Sequence, residues 1–330
     1  MNIISLFSGC GGFDLGFIGG FDYLGKHYSE TGHKVIFAND VDKNACSTYR
    51  ENIGDHVFCG DIKTVEDFPQ ADILIGGYPC QGFSLIGTRL ETDERNFLYL
   101  EYARCIDQVK PKVFVAENVK GLLSMSQGEV IKAMVKEFES KGYKVKFKLL
   151  NAKNYGVPQD RERVFIVGIR NDLAFEYKYP EPTHSEPSDD NQMTLFPSDE
   201  KKELVTLKVA IGDMPEPKDD DIYSAKFSPL YMSRNRRRDW DEVSFTIQAG
   251  RMHVPLHPSS PEMIHVGEDE WEFGNGQARR LTVQECKRIQ SFPDNFDLQG
   301  KGFATHYRQI GNAVPPVLAW HIAKKIPSSL

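Results

Sequence analysis

The sequence predicts an α/β protein with a doubly wound, mostly parallel sheet and a smaller, irregular second domain. Short apolar runs alternate with segments of helical period up to about Tyr179, and the last two runs read as an antiparallel pair. The texture then changes, because residues 180–229 hold seven of the chain's 18 prolines and few periodic runs. We therefore assign residues 1–179 plus 279–330 to one domain and residues 180–278 to another.

A glycine turn follows the first predicted strand. Residues 2–7 are apolar and lead into Ser8-Gly9-Cys10-Gly11-Gly12, which should open a helix. Glycines let the backbone approach a ligand, and the free N–H groups of a first helical turn favour an anion. The spacing differs from G-x-G-x-x-G, so a simple tight turn is an equal alternative.

Acidic residues follow the second and third predicted strands, at residues 35–38 and 57–59. Asp40 could hold a ribose diol or cap a helix, and this site alone favours neither. Asp61 is the next acidic residue at a strand end. Residues 18–34, between the first two strands, should form a helix end and a surface loop.

Cys80 lies in the loop after a strand at residues 72–75, because Gly76-Gly77 and Pro79 must end that strand. Open α/β sheets bind ligands at this edge, so Cys80 is a candidate nucleophile. The alternative is a buried, inert thiol. A helix over residues 96–109 and a strand over 112–116 then deliver Glu117 to the same edge.

The remaining predicted elements frame two polar segments. Strands at 144–150 and 163–169 enclose the segment from Asn154 to Arg163, and a helix covers residues 128–141. Residues 244–248 should form a strand in the second domain. Thr282 should cap a helix that carries Cys286 and Ile289, and a last helix should run through Ile322.

The net charge of −7 conceals a basic segment. Residues 181–224 hold twelve acidic and four basic side chains, whereas residues 225–258 hold six basic and three acidic ones. A polyanionic partner would respond to the local balance. The six cysteines contain no C-x-x-C pair, so we expect no metal, a reducing compartment and a cytoplasmic protein. No apolar run approaches the ~18 to 20 residues of a membrane span.

Taken together, these stretches resemble the C5-cytosine DNA methyltransferase family over most of the chain outside residues 180–278. Each stretch is short, but their common order and family-like spacing make coincidence very improbable. The resembling stretches are Phe7 to Gly12, Asp40, Gly60-Asp61-Ile62, Pro79-Cys80-Gln81, Glu117-Asn118-Val119, Gln159-x-Arg161-x-Arg163, Arg280-Leu281-Thr282-x-x-Glu285 and Gly311-Asn312-Ala313-Val314-Pro315.

The resemblance implies a class I S-adenosylmethionine-dependent fold and a covalent reaction at C5 of a flipped-out cytosine. Cys80 would attack C6 and Glu117 would supply a proton at N3. Arg161 and Arg163 would donate to the O2 carbonyl and a phosphate, although a surface ion pair is the alternative, more so for Arg161. Residues 180–278 would form the target-recognition domain.

The resemblance also implies the binding residues for S-adenosylmethionine and double-stranded DNA. Val41 occupies a position where many family members have an aromatic residue, and Tyr78 precedes Pro79 where many have Pro or Phe. The cofactor residues would be Phe7, Gly9, Gly11, Gly12, Asp40, Val41, Asp61, Ile62, Pro79, Leu98, Asn312 and Ala313. The DNA-binding residues would be Gln81, Ser84, Arg234, Arg236, Arg237, Arg238 and Arg251, each arginine having a solvated basic face as its alternative.

Two other functions remain open from the sequence. An RNA C5-cytosine methyltransferase acting on tRNA would share the catalytic stretches, but the recognition region of roughly a hundred residues favours DNA. A nicotinamide-dependent oxidoreductase would use the glycine turn but would give the Pro-Cys and Glu-Asn-Val turns no task. We expect a monomeric DNA (cytosine-5-)-methyltransferase of a bacterial restriction-modification system, with a short GC-rich palindrome as its site.

Overall fold

The computed structural model describes residues 1–78, 97–186 and 201–330. In chain order its first elements are β1 (Asn2–Leu6), α1 (Gly12–Ile18), β2 (Phe21–Tyr23), β3 (Lys26–Tyr28), β4 (Lys34–Asp40), α2 (Lys43–Asn52), β5 (Val57–Cys59), β6 (Ile73–Gly76), α3 (Phe97–Val109), β7 (Val113–Val119), α4 (Glu129–Ser140), β8 (Tyr143–Asn151) and β9 (Glu162–Arg170). The later elements are β10 (His184–Ser185), β11 (Lys202–Glu203), α5 (Leu207–Ile211), β12 (Met263–Gly267), β13 (Glu270–Phe273), α6 (Val283–Ile289), α7 (Phe303–Asn312) and α8 (Pro316–Ala323).

A seven-stranded sheet organises the first half of the chain. Its strand order is β5-β4-β1-β6-β7-β9-β8. Strand β9 runs antiparallel to both of its neighbours, and the other neighbouring pairs are parallel. The predicted fold class is therefore confirmed, including the antiparallel strand near the end of the sheet.

Both faces of the sheet are buried, as the continuous apolar runs predict. Ile3 and Ile75 contribute to a core cluster with α1, α2 and α8, whereas Ile4 and Leu74 face α3 and α4. This alternation has the period of two that a strand imposes. The parallel strands consequently carry their carboxyl ends to one edge, where the sequence places its glycine and acidic turns.

Two local predictions are wrong. Residues 18–34 contain the hairpin β2–β3 in place of a plain surface loop. Its two-residue turn places Leu24 at φ 45° and Gly25 at φ 70°, and leucine is an unusual residue for such a turn, so the sequence signal was weak. Residues 244–248 form no strand but one bridge, between Ser244 and Gln159. Buried side chains satisfy the backbone of Ile247 in place of a second strand.

The second half of the chain has its own core. Leu207 and Ile211 of α5 pack with Ile289 of α6 and Ile310 of α7. The predicted domain boundary at residue 279 passes through this cluster, so α6 and α7 share apolar surface with residues 207–254. Helix α8 instead packs on α1, and a Cβ atom at Gly16 would lie 2.4 Å from the Cβ atom of Ala319. The last helix of the chain therefore packs beside the first.

No helix within residues 1–78, 97–186 and 201–330 is long and apolar enough to cross a membrane.

Candidate active site

The glycine turn after β1 lies against Asp40 at the end of β4. Phe7, Gly9 and Gly11 all have positive φ values, of 58°, 55° and 93°. This left-handed backbone allows the N–H group of Gly9 to donate to Oδ2 of Asp40 over 2.8 Å. The turn therefore joins two strand ends, and Gly11 stands immediately before α1.

The Asp40 carboxylate is held by backbone donors on both oxygens. Gly9 donates to Oδ2, and the N–H group of Asp42 donates to Oδ1 over 2.9 Å. Burial raises the pKa of Asp40, and these two hydrogen bonds counteract part of that rise. Asp42, not Asp40, caps α2. The helix-cap alternative for Asp40 is therefore wrong.

The neighbouring residues divide between exposed and buried positions. Val41 is 72% exposed, whereas Ile62 is 2% exposed and packs in the core below α3. Asp61 is exposed, and its Oδ1 accepts from the N–H group of Lys63 over 3.0 Å. Leu98 is partly buried against the same core. Val41 and Asp61 thus present an apolar and a charged group at adjacent strand ends.

The segment between α7 and α8 closes this side of the edge. A Cβ atom at Gly12 would lie 2.6 Å from the carbonyl oxygen of Val314 and 3.1 Å from Cβ of Ala313, so only glycine allows this approach. Asn312 is exposed, and Ala313 is 9% exposed. The structure therefore places Gly12 against Ala313 and Val314, next to Asn312 in the chain.

Glu117 at the end of β7 pairs with Arg163 of β9. The two residues flank each other because Val119 and Arg163 are register partners in the antiparallel pair. Nε of Arg163 lies 2.9 Å from Oε1 of Glu117, and the two side chains are 14% and 12% exposed. Burial raises the pKa of Glu117, although the charges of Arg163 and Arg161 lower it in part. The arrangement favours a carboxyl group that retains its proton at higher pH than usual.

The chain that leads toward Cys80 passes directly beside Glu117. A Cβ atom at Gly77 would lie 2.9 Å from Oε2 of Glu117. Nδ2 of Asn118 donates to the carbonyl oxygen of Tyr78 over 3.0 Å. Pro79, Cys80, Gln81 and Ser84 lie outside the described residues. Gly77 and Tyr78, which lead to the Cys80 loop, are therefore held beside the Glu117 carboxyl group.

The structure corrects the interpretation of Arg161. We expected it to donate to a substrate or to form a surface ion pair, but its side chain is 1% exposed. Nη1 donates to the carbonyl oxygen of Ile247 over 3.1 Å, and Nη2 donates to those of Gly311 and Ala313 over 2.8 and 3.0 Å. These two nitrogens donate only to groups inside the protein. Arg163 is therefore the guanidinium that lies beside Glu117, at the sheet edge that carries Gly77 and Glu117, called here the reacting edge.

A cleft of about 520 Å³ is lined by residues 119–163, at this edge of the sheet, and by residues 234–255. Its walls carry five basic side chains, those of Lys120, Arg163, Arg234, Arg236 and Arg238, and two acidic ones. The lining residues are Val119, Lys120, Gly121, Asp160, Glu162, Arg163, Arg234, Asn235, Arg236, Arg238, Phe245, Thr246, Gln248, His253 and Pro255. A cleft with this lining suits an anionic ligand with flat, polar components.

The predicted arginine cluster is not a uniform row of free cations. Arg234 is exposed and makes no hydrogen bond or ion pair with any described residue. Arg236 is 5% exposed, and its Nε donates to the carbonyl oxygen of Tyr231 over 3.1 Å. Arg237 pairs with Asp239 and Arg238 with Glu242. A fully solvated basic face is therefore wrong for these three residues.

Arg251 is exposed outside this cluster and lies 5.5 Å from the ring centroid of Tyr223.

Several polar residues of the site were not among those predicted from the sequence. Lys120 lines the cleft and pairs with Glu162 over 2.7 Å, and its position just after Asn118-Val119 was a usable signal. Thr246 and Gln248 also line the cleft, but no sequence pattern marked them. Among the residues that the structure describes, no group of three or more His, Cys, Asp or Glu side chains could hold a metal ion.

Comparison with known proteins identifies the family. The C-5 cytosine-specific DNA methylase profile matches residues 1–328. The chain is also 44% identical over 359 residues to the Type II methyltransferase M.BsuRI of Bacillus subtilis, covering 99% of this chain and 79% of that protein. The chain belongs to the C-5 cytosine-specific DNA methylase family. It is a DNA cytosine-5-methyltransferase of the restriction-modification type.

Further relatives of this C-5 methylase agree in sequence and fold. The Type II methyltransferase M.MthTI of Methanothermobacter thermautotrophicus is 40% identical, with 100% of this chain and 98% of that protein covered. The fold is similar to that of S. pombe Dnmt2 methyltransferase, with a TM-score of 0.67, 17% identity and 98% and 97% of the two chains covered. Entamoeba histolytica EhMeth gives a TM-score of 0.66, 16% identity and the same coverage.

We predict that Arg234 contacts DNA phosphate through its free guanidinium. Arg234→Ala in this C-5 methylase should weaken DNA binding and reduce the slope of log affinity against log salt by about one. The measurement is a fluorescence-anisotropy titration at several salt concentrations. Arg237→Ala is the matched control, because its guanidinium is already bound by Asp239. A slope that changes for Arg237→Ala but not for Arg234→Ala would contradict the assignment.

Proposed function

We propose that this C-5 methylase transfers a methyl group from S-adenosylmethionine to C5 of a flipped-out cytosine in a short duplex site, through a covalent bond between Cys80 and C6. One observation carries the proposal. The Glu117–Arg163 pair lies beside Gly77, three residues before Cys80, at the edge of a basic cleft. An acid, a guanidinium and the approach to a thiol therefore meet at one edge.

The donor set at the carboxyl ends of β1, β4 and β5 fits S-adenosylmethionine. Asp40 has both carboxylate oxygens oriented by backbone N–H groups, which leaves lone pairs for ribose hydroxyls. Asp61 would accept from the adenine amine, and exposed Val41 would cover the adenine face. Phe7 and the Gly9 to Gly12 turn would surround the rest, with Asn312 and Ala313 opposite. When bound, the cofactor supplies an electrophilic methyl group.

Cytosine C5 needs activation, because it is a weak nucleophile in the intact aromatic ring. Addition of the Cys80 thiolate at C6 would convert the C5–C6 double bond into an enamine and place electron density on C5. After methylation, loss of the C5 proton would let the thiolate leave and restore the ring. Only a few per cent of a free thiol is ionised at pH 7, so positioning on C6 must assist the step.

Glu117 and Arg163 would stabilise the ring during this addition. Negative charge moves toward N3 and O2 as the thiolate attacks C6. The raised pKa of Glu117 makes a proton available for N3, while Arg163 can donate to O2. Arg163 also orients Glu117, because its Nε contacts Oε1. The two residues would thus act on two polar atoms of the same base, both bonded to C2.

The cleft supports a duplex substrate whose base leaves the stack. C5 and C6 are inaccessible inside a duplex, so the cytosine must flip out at a cost of a few kcal/mol. Lys120 and Arg234, which both line the cleft, would bind phosphates. The recognition segment, residues 180–278, would read the site, for which a short GC-rich palindrome remains our expectation.

The decisive experiment compares DNA with tRNA as the methyl acceptor. Purified protein, incubated with radiolabelled S-adenosylmethionine, should label plasmid DNA and leave total tRNA unlabelled. Bisulfite sequencing of the product should place 5-methylcytosine in one short sequence. Label in tRNA and none in DNA would support the RNA alternative and overturn the proposal.

Glu117→Gln should reduce methyl transfer by roughly 10² or more, because glutamine preserves the shape but supplies no carboxyl proton. In wild-type protein, turnover should decline as pH rises through the raised pKa of Glu117, since the proton is then lost. That alkaline decline should vanish in the glutamine variant. Single-turnover rates from pH 5.5 to 9 test both points, and near-normal turnover of the variant would assign the proton to another group.

A further inference from the structure

Arg161 connects three separate parts of the chain through one buried guanidinium. It stands just before β9 at the reacting edge, and it reaches Ile247 of the recognition segment. Its Nη2 atom donates to the carbonyl oxygens of Gly311 and Ala313, at the C-terminal end of α7. No carboxylate of the described residues forms an ion pair with it, although it is 1% exposed. The positive charge is therefore stabilised mainly by these backbone carbonyl groups.

Gln159 completes the attachment of Ile247. The Oε1 atom of Gln159 accepts from the N–H group of Ile247 over 2.9 Å, while Arg161 binds the carbonyl oxygen of the same residue. Both polar groups of this peptide segment are thus fixed by side chains that are almost fully buried. Thr246 and Gln248, on either side of Ile247, line the cleft. The position of the DNA-facing wall is consequently set by Gln159 and Arg161.

The same network extends to the cofactor side. Nε2 of Gln159 donates to Oε1 of Gln290, and Nε2 of Gln290 donates to the carbonyl oxygen of Ala313 over 2.6 Å. Ala313 therefore accepts from both Arg161 and Gln290. A Cβ atom at Gly311 would lie 2.3 Å from the backbone nitrogen of Ala249, so the two segments also touch directly. The DNA-facing and cofactor-facing segments share one set of buried hydrogen bonds.

Movement of either segment would leave buried polar groups without partners. A buried polar group without a partner destabilises the structure, and an unpaired charged group does so more strongly. A shift of residues 246–248 away from the sheet would break the bonds of Ile247 to Gln159 and Arg161. The guanidinium could then rotate away from Gly311 and Ala313. The observed arrangement satisfies both terminal nitrogens of Arg161 and both polar backbone groups of Ile247 at once.

We propose that Arg161, with Gln159 and Gln290, couples DNA binding to cofactor binding by holding residues 246–248 and 311–313 in one shared arrangement. This inference rests on the proposed function, because it takes residues 311–313 as part of the cofactor site. Arg161 is then a positioning residue and contacts neither ligand. Binding of either ligand orders the network, so the second ligand binds with part of that ordering already complete. The coupling must be reciprocal.

The test measures cooperativity rather than activity. The dissociation constant of S-adenosylhomocysteine is measured by calorimetry with and without a duplex that contains the mapped site. Couplings between sites are typically about 5- to 150-fold. We expect a ratio in this range for wild-type protein and a ratio below about threefold for Arg161→Lys, because lysine cannot span three carbonyl groups with one planar donor. Wild-type coupling in folded Arg161→Lys, or none in wild-type protein, would overturn the inference.

Arg280→Lys is the matched control. Arg280 is also 1% exposed and donates to two backbone carbonyls, those of Tyr223 and Ala225, but these lie in one segment. Its replacement should lower stability while keeping the wild-type ratio between the two dissociation constants. Equal loss of coupling in both variants would mean that any destabilised core gives this result, and the inference would be wrong.

Wild-type protein provides a test that does not depend on folding of a variant. Saturation with S-adenosylhomocysteine should slow amide hydrogen exchange at least threefold in residues 244–249, across the network, and leave the β12–β13 hairpin unchanged. Unchanged exchange at 244–249 would overturn the inference. Failure of the proposed function is distinguishable, because wild-type protein would then neither bind S-adenosylhomocysteine nor methylate DNA.

Discussion

The buried guanidinium of Arg161 is the constraint on which the relative positions of the sheet, the recognition segment and the last helices depend. This cation is 1% exposed, and its two terminal nitrogens donate to carbonyl groups of Ile247, Gly311 and Ala313, while its Nε atom has no hydrogen-bond partner among the described residues. These carbonyls belong to segments far apart in the chain. The hydrogen bonds therefore bring the cleft wall and the end of α7 to the reacting edge.

Two arginines that differ in burial and distance act on the Glu117 carboxyl group. Arg163 contacts the Glu117 carboxylate at 2.9 Å, whereas Arg161 acts on it only through the longer-range field. Burial raises the pKa of Glu117, and both guanidinium charges oppose that rise. Because these effects oppose each other, Glu117 can retain a proton while Arg163 stays beside it as a hydrogen-bond donor. A single arginine could not both orient the acid and fix the recognition segment.

The sequence predicted the sheet and most strand-end residues because each depends on local patterns. Buried strands have continuous apolar runs, and Asp40, Asp61 and Glu117 directly follow such runs. The role of Arg161 could not be predicted, because its partners lie 86 to 152 positions away. The same holds for the 244–248 segment, whose β-like composition is overridden because Ile247 donates its N–H group to Gln159 and its carbonyl oxygen accepts from Arg161. The β2–β3 hairpin was not predicted, because its two-residue turn begins with Leu24, an unusual residue for a positive φ value.

The most direct measurement of the central claim asks which thiol bonds to cytosine. The protein is incubated with S-adenosylmethionine and a duplex that carries 5-fluorocytosine at the target position. Fluorine cannot leave as a proton does, so the thiolate should remain bonded to C6. We predict a denaturant-resistant protein–DNA adduct, which peptide mapping places on Cys80. Cys80→Ala should abolish this adduct, whereas Cys10→Ala and Cys286→Ala should retain it. An adduct on another cysteine, or one that persists in Cys80→Ala, would contradict this prediction.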